Sequence, residues 1–284
     1  MVALLSSRTD LDIATQARID HALERLRSFH DGDAALLEVV GLGPSAIPGL
    51  RNLLFTREPS GLFQARCRAV EALALLKGFS VLADFLRLRR DPPDPVERLG
   101  EDAVKSAAGR ALARLREPWV YELLLELARQ RPLLGILAGV GSFLHDASIP
   151  IFVDALGEDD LRLTAHGVLR SFGKAACPAL IAAALDRDES QHAESESHLR
   201  KRRSALVLLL DSKISRRSWP KLRELMDDHD LQVALLACEL CLEIGSAQDR
   251  TKLCHRLNGL RRKADWSARD RIDKLLKAAE CVKR

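Results

Sequence analysis

A proline followed by apolar residues two, five and six positions later recurs along this 284-residue chain, and the recurrence narrows the folds open to it. The clear copies are Pro48-Gly-Leu-Arg-Asn-Leu-Leu54, Pro118-Trp-Val-Tyr-Glu-Leu-Leu124, Pro150-Ile-Phe-Val-Asp-Ala-Leu156 and Pro220-Lys-Leu-Arg-Glu-Leu-Met226. Pro178-Ala-Leu-Ile-Ala-Ala-Ala184 is a smaller-residue variant, and Ser80-Val-Leu-Ala-Asp-Phe-Leu86 begins with serine. Proline suits the first turn of a helix, where its missing N–H leaves no bond unmade. Offsets of two, five and six lie on one helical face. Each copy leads to a second helix with a small residue and, four positions on, a larger one: Ala69/Leu73, Ala108/Leu112, Ala165/Leu169, Ala205/Leu209 and Ala237/Cys241. The stretch from Asp160 to Gly173 is the fullest example. Asp159 and Asp160 predict a capped start. Ala165, Val168, Leu169 and Phe172 share a face, and Gly173 predicts a left-handed stop, with Gly78 and Gly245 in comparable places. Residues 132–143 form the least regular, glycine-rich copy. The expectation is an all-α chain of about seven stacked helix pairs, with no sheet.

The helix anchors lie 32, 38, 32, 28 and 42 residues apart, and the extra length falls between the two helices of a pair. The insertions are Thr56–Leu62, Asp91–Arg98 and the acidic Asp186–His198. Insertions at one place in a repeat project from one edge, a common location for binding loops; the third reads as a solvated, mobile connector. The expected organisation is a single domain over 1–284. It has an N-terminal capping region at 10–43 with a helix from Asp10 to Phe29, core repeats at 44–246, and a degenerate basic repeat at 247–284.

Only 4% of residues are aromatic, while 47% are hydrophobic and 30% charged, a balance that suits close-packed helices in a folded chain. No run of about 18 uninterrupted apolar residues marks a membrane span, and Met1–Arg8 does not read as a secretory signal. The six cysteines sit in apolar helical stretches, as small core residues in a reducing, cytoplasmic setting. The net charge of +4 is uneven. Residues 200–284 carry 21 Lys/Arg against 12 Asp/Glu, and residues 1–199 carry 23 against 28.

In these proline-led first helices and Ala/Leu second helices, the chain resembles the HEAT-repeat family, nearest in style to the short bacterial HEAT-like repeats of phycobilisome-lyase-type proteins. The resemblance spans about residues 44–246. It implies a right-handed α-solenoid whose second helices line a concave surface. The shared residues are core residues, so the resemblance specifies a fold and leaves the function open.

Arg66, Lys105, Arg162 and Arg202 each lie three residues before an aligned alanine and so share a flank of successive second helices. On a concave surface this basic ladder could face an anionic ligand. Acids such as Asp102 and Asp160 instead offer the ladder structural partners along the stack. The densest basic cluster, Arg200, Lys201, Arg202 and Arg203 with Arg216 and Arg217, is the expected contact for an acidic partner protein. Nucleic acid is the alternative, disfavoured by the scarcity of stacking aromatics. Cys238, Cys241, Cys254 and His255 have a superficially zinc-like spacing, but Cys241 replaces the repeat's core leucine, so no metal is expected. No P-loop, His-Glu-x-x-His, Gly-x-Ser-x-Gly or dinucleotide fingerprint is present. No catalytic residue or cofactor is therefore expected. The functional expectation is a non-enzymatic protein-interaction scaffold. The alternatives are a nucleic-acid binder resembling HEAT-like alkylpurine DNA glycosylases, weakened because Trp119, Trp219 and Trp266 read as packing or terminal residues, and a lyase- or chaperone-like helper of another protein.

Overall fold

The computed structural model of the protein describes residues 2–56, 63–90, 92–187, 194–262 and 264–281, and no strand occurs among them. The chain forms two compact units, Met1–Phe143 and Leu144–Arg284. In the first, the helices are α1 (Val2–Arg25), α2 (Gly32–Gly41), α3 (Ile47–Phe55), α4 (Gln64–Leu75), α5 (Phe79–Arg87), α6 (Pro95–Leu112), α7 (Pro118–Gln130) and α8 (Leu134–Ser142). In the second they are α9 (Ile149–Ala155), α10 (Asp159–Phe172), α11 (Cys177–Leu185), α12 (Glu196–Asp211), α13 (Trp219–Leu222), α14 (Leu231–Ile244), α15 (Ala247–Arg261) and α16 (Trp266–Cys281). A 3₁₀ segment, Arg223–Asp227, prolongs α13.

Each unit is two layers of helices. In the first, α2, α4, α6 and α8 pack in order to form one layer, α1, α3 and α5 pack in the other, and each first helix packs on its own second helix. In the second, α10, α12, α14 and α16 form the corresponding layer, with α9 against α11. The register explains why. Leu50, Leu82, Val120, Phe152, Leu180 and Leu222, two positions after the anchor, are all buried, as are the residues five and six positions after it. Ala69, Ala108, Ala165, Ala205 and Ala237 have no exposed surface. A small residue there lets second helices approach, and the buried leucine beyond it contributes about 1.5–3 kcal/mol.

Local signals were met only in part by the residues expected. Helix α10 starts at Asp159 after Glu158, and no side chain caps it. Asp159 and Asp160 lie in its first turn, where their charge favours the helix dipole. Gly173 ends α10 with φ +56°. Gly78 and Gly245 have negative φ, and Lys77 (φ 60°) takes the left-handed position beside Gly78. A Cβ on Gly245 would lie 2.4 Å from Cys241 O, so close approach selects that glycine. The same cause accounts for the irregular 132–143 copy. A Cβ on Gly135 would lie 2.0 Å from Ser106 O, and one on Gly139 would lie 3.1 Å from Gly109 O, so α8 is seated directly on the backbone of α6.

At the N-terminus, the expected single helix over 10–29 is the longer α1 followed by α2, a helix pair of its own. Residues 159–185 are apolar and long enough by composition to cross a membrane. Gly173 divides them into α10 and α11, of 14 and 9 residues, each shorter than the ~20 needed to span.

Candidate functional site

Three ladder residues reach backward, Arg66 and Arg202 to the preceding helix of their own pair and Lys105 to the chain just after it. Arg66 Nε donates to Leu54 O at 2.9 Å, in the last turn of α3, and Arg202 Nε donates to Ala184 O at 3.1 Å, in the last turn of α11. Lys105 Nζ donates to Arg90 O at 3.1 Å, just beyond α5. A helix leaves its last four carbonyls unbonded, and Arg66 and Arg202 each satisfy one of them while favouring the negative end of the dipole; Arg90 lies three residues past the end of α5, so Lys105 holds the chain after the helix instead. Arg66 and Arg202 are buried and also meet carboxylates. Arg66 Nη1 lies 2.8 Å from Glu101 Oε2 on α6. Arg202 lies 2.7 Å from Glu194 and 2.5 Å from Asp228. Arg162 is half-buried, and its Nε finds no hydrogen-bond partner among the described residues. The ladder therefore works inside the fold at Arg66 and Arg202. Asp102 pairs with Arg131 at 2.6 Å, and the partner of Arg66 is its neighbour Glu101.

The basic cluster on α12 separates in the same way. Arg202 is wholly enclosed and is not available to a partner. Arg200 pairs with Asp159 at 3.2 Å, Lys201 with Asp186 at 3.3 Å, and Arg203 with Asp230 at 2.6 Å and Glu196 at 3.1 Å. Arg216 and Arg217 are exposed and make no ion pair among the described residues. The acidic insertion supplies part of this neutralisation, so its ends are not a loose connector. The Glu194 side chain is 2% exposed, Arg187 pairs with Asp228 at 2.9 Å, and Ser195 caps α12 by accepting from His198 N. Residues 188–193 of the insertion lie outside the described residues.

Burial by itself would raise the Asp228 carboxyl. The hydrogen bonds from Arg202 and from Asp230 N–H, with the charges of Arg202 and Arg187, outweigh it and hold the group below its ordinary value. The stability Asp228 contributes is thus complete above the unfolded-chain value of about 3.9 and is lost as pH falls through the lower folded value. Acid unfolding followed by circular dichroism is expected to show this. Asp228→Asn starts less stable at neutral pH and loses less than the parent on going below about pH 4. Equal acid limbs would show that Asp228 does not carry the charge of this cluster.

A shaped surface open to a partner lies on the second-helix layer of the first unit. Ala103, Ser106, Ala107, Arg110 and Ala111 recur at helical spacing along α6, and Arg114 follows in the 3₁₀ turn Ala113–Leu115. With Cys67 and Val70 of α4 they line a groove of about 550 Å³, with Phe63 and Leu134 at its edge. Arg110 and Arg114 are exposed on its rim and meet no carboxylate among the described residues. Arg68 is held by Asp33 and by the carbonyls of Leu26 and Ser28, while Glu71 is the groove's exposed acid. Burial pushes the Cys67 thiol up, against the opposing pull of Arg66 and Arg110, so it is a poor nucleophile near neutral pH. The groove offers shape and positive charge without a reactive group. Its signal in the sequence was the small-residue stripe flanked by arginines, a pattern the aligned-alanine register passes over.

Cys238 and Cys241 are fully buried in α14, and burial pushes both thiols up to about 12. Cys254 is half-buried and His255 exposed, and no group of metal-holding side chains forms among the described residues. Trp219 is buried, with Nε1 donating to Asp249 at 2.8 Å, whereas Trp119 is 41% and Trp266 84% exposed.

No family model matches the chain. No curated protein matches it either. Among solved structures, human deoxyhypusine hydroxylase in complex with glycerol is similar over 95% of this chain and 98% of that one, at 17% identity and a TM-score of 0.34. The complex of CpcE and CpcF of phycocyanin lyase from Nostoc sp. PCC7120 matches 85% of this chain and 94% of that one, at 17% identity and a TM-score of 0.37. An engineered protein matches 93% and 96%, at 14% identity and a TM-score of 0.25. At these levels of likeness no activity passes from those proteins to this chain.

Proposed function

We propose that this chain is a HEAT-like repeat scaffold, a single right-handed solenoid over 1–284, that binds an acidic surface of another protein without catalysing a reaction. The observation that supports this reading is the α4–α6–α8 groove, with its small-residue floor and the uncommitted cations Arg110 and Arg114 on its rim. Small side chains let a partner's apolar residues approach the helix backbones, and rim charge steers an acidic surface and sets orientation. Arg216 and Arg217 are a second exposed basic contact at the edge of the other unit. Free cysteines among the described residues suit a reducing, cytoplasmic setting.

The test is crosslinked capture from native lysate, with and without nuclease, using the parent chain and Arg110→Glu/Arg114→Glu. A partner protein resistant to nuclease is expected, with affinity for the reversed rim lower by about tenfold or more. The melting temperature should stay close to the parent's, because exposed substitutions away from special contacts change stability by roughly 0.5 kcal/mol or less. Capture that vanishes with nuclease would favour the nucleic-acid reading, for which the exposed Trp266, close in sequence to the exposed Arg262 and Arg269, is the supporting feature. A spectral change on mixing with a bilin and an acceptor protein would favour the lyase-like helper.

A further inference from the structure

Two ladder positions make the same pair of contacts, and a third, Lys105, where the second contact is missing, points to a ligand. At Arg66 and Arg202 the side chain reaches the end of its pair's first helix and also a buried carboxylate: Glu101 from the next pair in one case, Asp228 from the next pair in the other. Lys105 reaches only the chain after its pair's first helix, at Arg90 O three residues past α5, and meets no carboxylate among the described residues. At the corresponding level of the next pair, before α8, the chain supplies Gln130, Arg131 and Pro132. A cavity of about 340 Å³ lies there, with Lys105 in its wall.

The walls of this cavity are amphipathic. Leu86, Leu123, Leu127 and Ile136 form an apolar side, from α5, α7 and α8. Arg87, Arg89 and Arg131 join Lys105 on the polar side, against two carboxylates, Asp102 and Glu126. Asp102 is held by Arg131 at 2.6 Å, Glu126 accepts from Gln130 at 3.1 Å, and Arg87 lies 3.6 Å from Asp84. Gln130 is neutral, so exposed Glu126 keeps its charge; against it stand Lys105, whose ammonium has three donors and uses one on Arg90 O, and exposed Arg89, which together leave the balance positive. A volume in the few-hundred-Å³ range with apolar walls and a few convergent polar groups is characteristic of small-ligand sites.

We propose that this cavity binds a carboxylate carried on a compact apolar body, with Lys105 taking the carboxylate as Arg66 takes Glu101. Leu86, Leu123, Leu127 and Ile136 receive the apolar body. Such a group exists as a free aliphatic acid or as the C-terminal residue of a peptide. The site uses a different line of α6 from the partner groove, and its test needs no partner protein, so the two readings stand or fall separately.

Titration calorimetry on the full chain tests it with octanoate, octanol, a short peptide ending in leucine with a free carboxylate, and the same peptide amidated. Saturable binding of octanoate or the free-acid peptide is expected, with octanol or the amide weaker by about tenfold or more. Binding of octanoate alone identifies a free acid as the source, and binding of the peptide alone identifies a chain terminus. Lys105→Met should weaken the carboxylate probe by about tenfold, and Leu127→Trp, which fills the cavity from a half-exposed position, should abolish it. Should Lys105→Met not fold, Arg89→Ala and Leu127→Trp carry the test. Equal affinity for acid and alcohol, binding undiminished in the folded variants, or no binding of either carboxylate below about 10 mM overturns the proposal.

Discussion

Replacing Arg202 by alanine is expected to destabilise the protein by about 3–5 kcal/mol, the range for breaking a buried ion pair from one side. Three groups would be stranded. Asp228 and Glu194 have 0% and 2% exposed side chains, and the Ala184 carbonyl would lose the donor that completes the end of α11. Arg187 stays 2.9 Å from Asp228 but is itself 41% exposed, so it offsets only part of the loss. The cost comes from orphaned charge more than from lost attraction, so a second variant separates the two. Arg202→Met/Asp228→Leu removes both charges and fills their volume, and it should recover much of the stability lost in Arg202→Ala. Urea unfolding midpoints measure both. A parent-like midpoint for Arg202→Ala would mean that the side chain is not enclosed between α11, α12 and the segment before α14.

Leu73→Ala is expected to cost about 2–5 kcal/mol, the transfer loss plus the cavity left behind. Leu73 is fully buried in α4, and it is packed so closely that a Cβ on Gly78 would lie 2.9 Å from its Cδ2, which leaves little room for collapse around the deletion. Leu75, two residues on and 50% exposed, is the control. Leu75→Ala should change stability by roughly 0.5 kcal/mol or less. Thermal or urea melts that rank the two variants the other way would shift the repeat register by one face of the helix.

The register itself was legible without coordinates because burial repeats. A residue that fills the space between layers in one pair has a counterpart in the next, so Leu54, Leu86, Leu124 and Leu156 recur at fixed offsets and are all buried. Cys241 in the leucine position reads the same way, as a buried core side chain. Cap chemistry was less legible, since several side chains at a helix start compete for one role. At α10 the first residue outside the helix is Glu158, and the two aspartates act through their charge.

The basic residues show most clearly where the one-dimensional reading ends. That Arg66, Lys105, Arg162 and Arg202 share a flank follows from their offset to the aligned alanine, and the sequence determined that much. Whether the flank faces outward depends on what lies across the gap. Arg66 meets Glu101, thirty-five residues away, and Arg202 meets Asp228, twenty-six residues away. Charge density in the sequence therefore marked Arg200–Arg203 as a surface, and tertiary pairing committed all four to carboxylates of this chain, with Arg202 alone fully buried. The quieter Arg110 and Arg114 were left exposed beside a groove. The helices, their pairing and their buried faces come from local periodicity, which the chain carries in its own order. The open charge and the open space are differences between neighbours brought together by folding, and only the tertiary structure decided them.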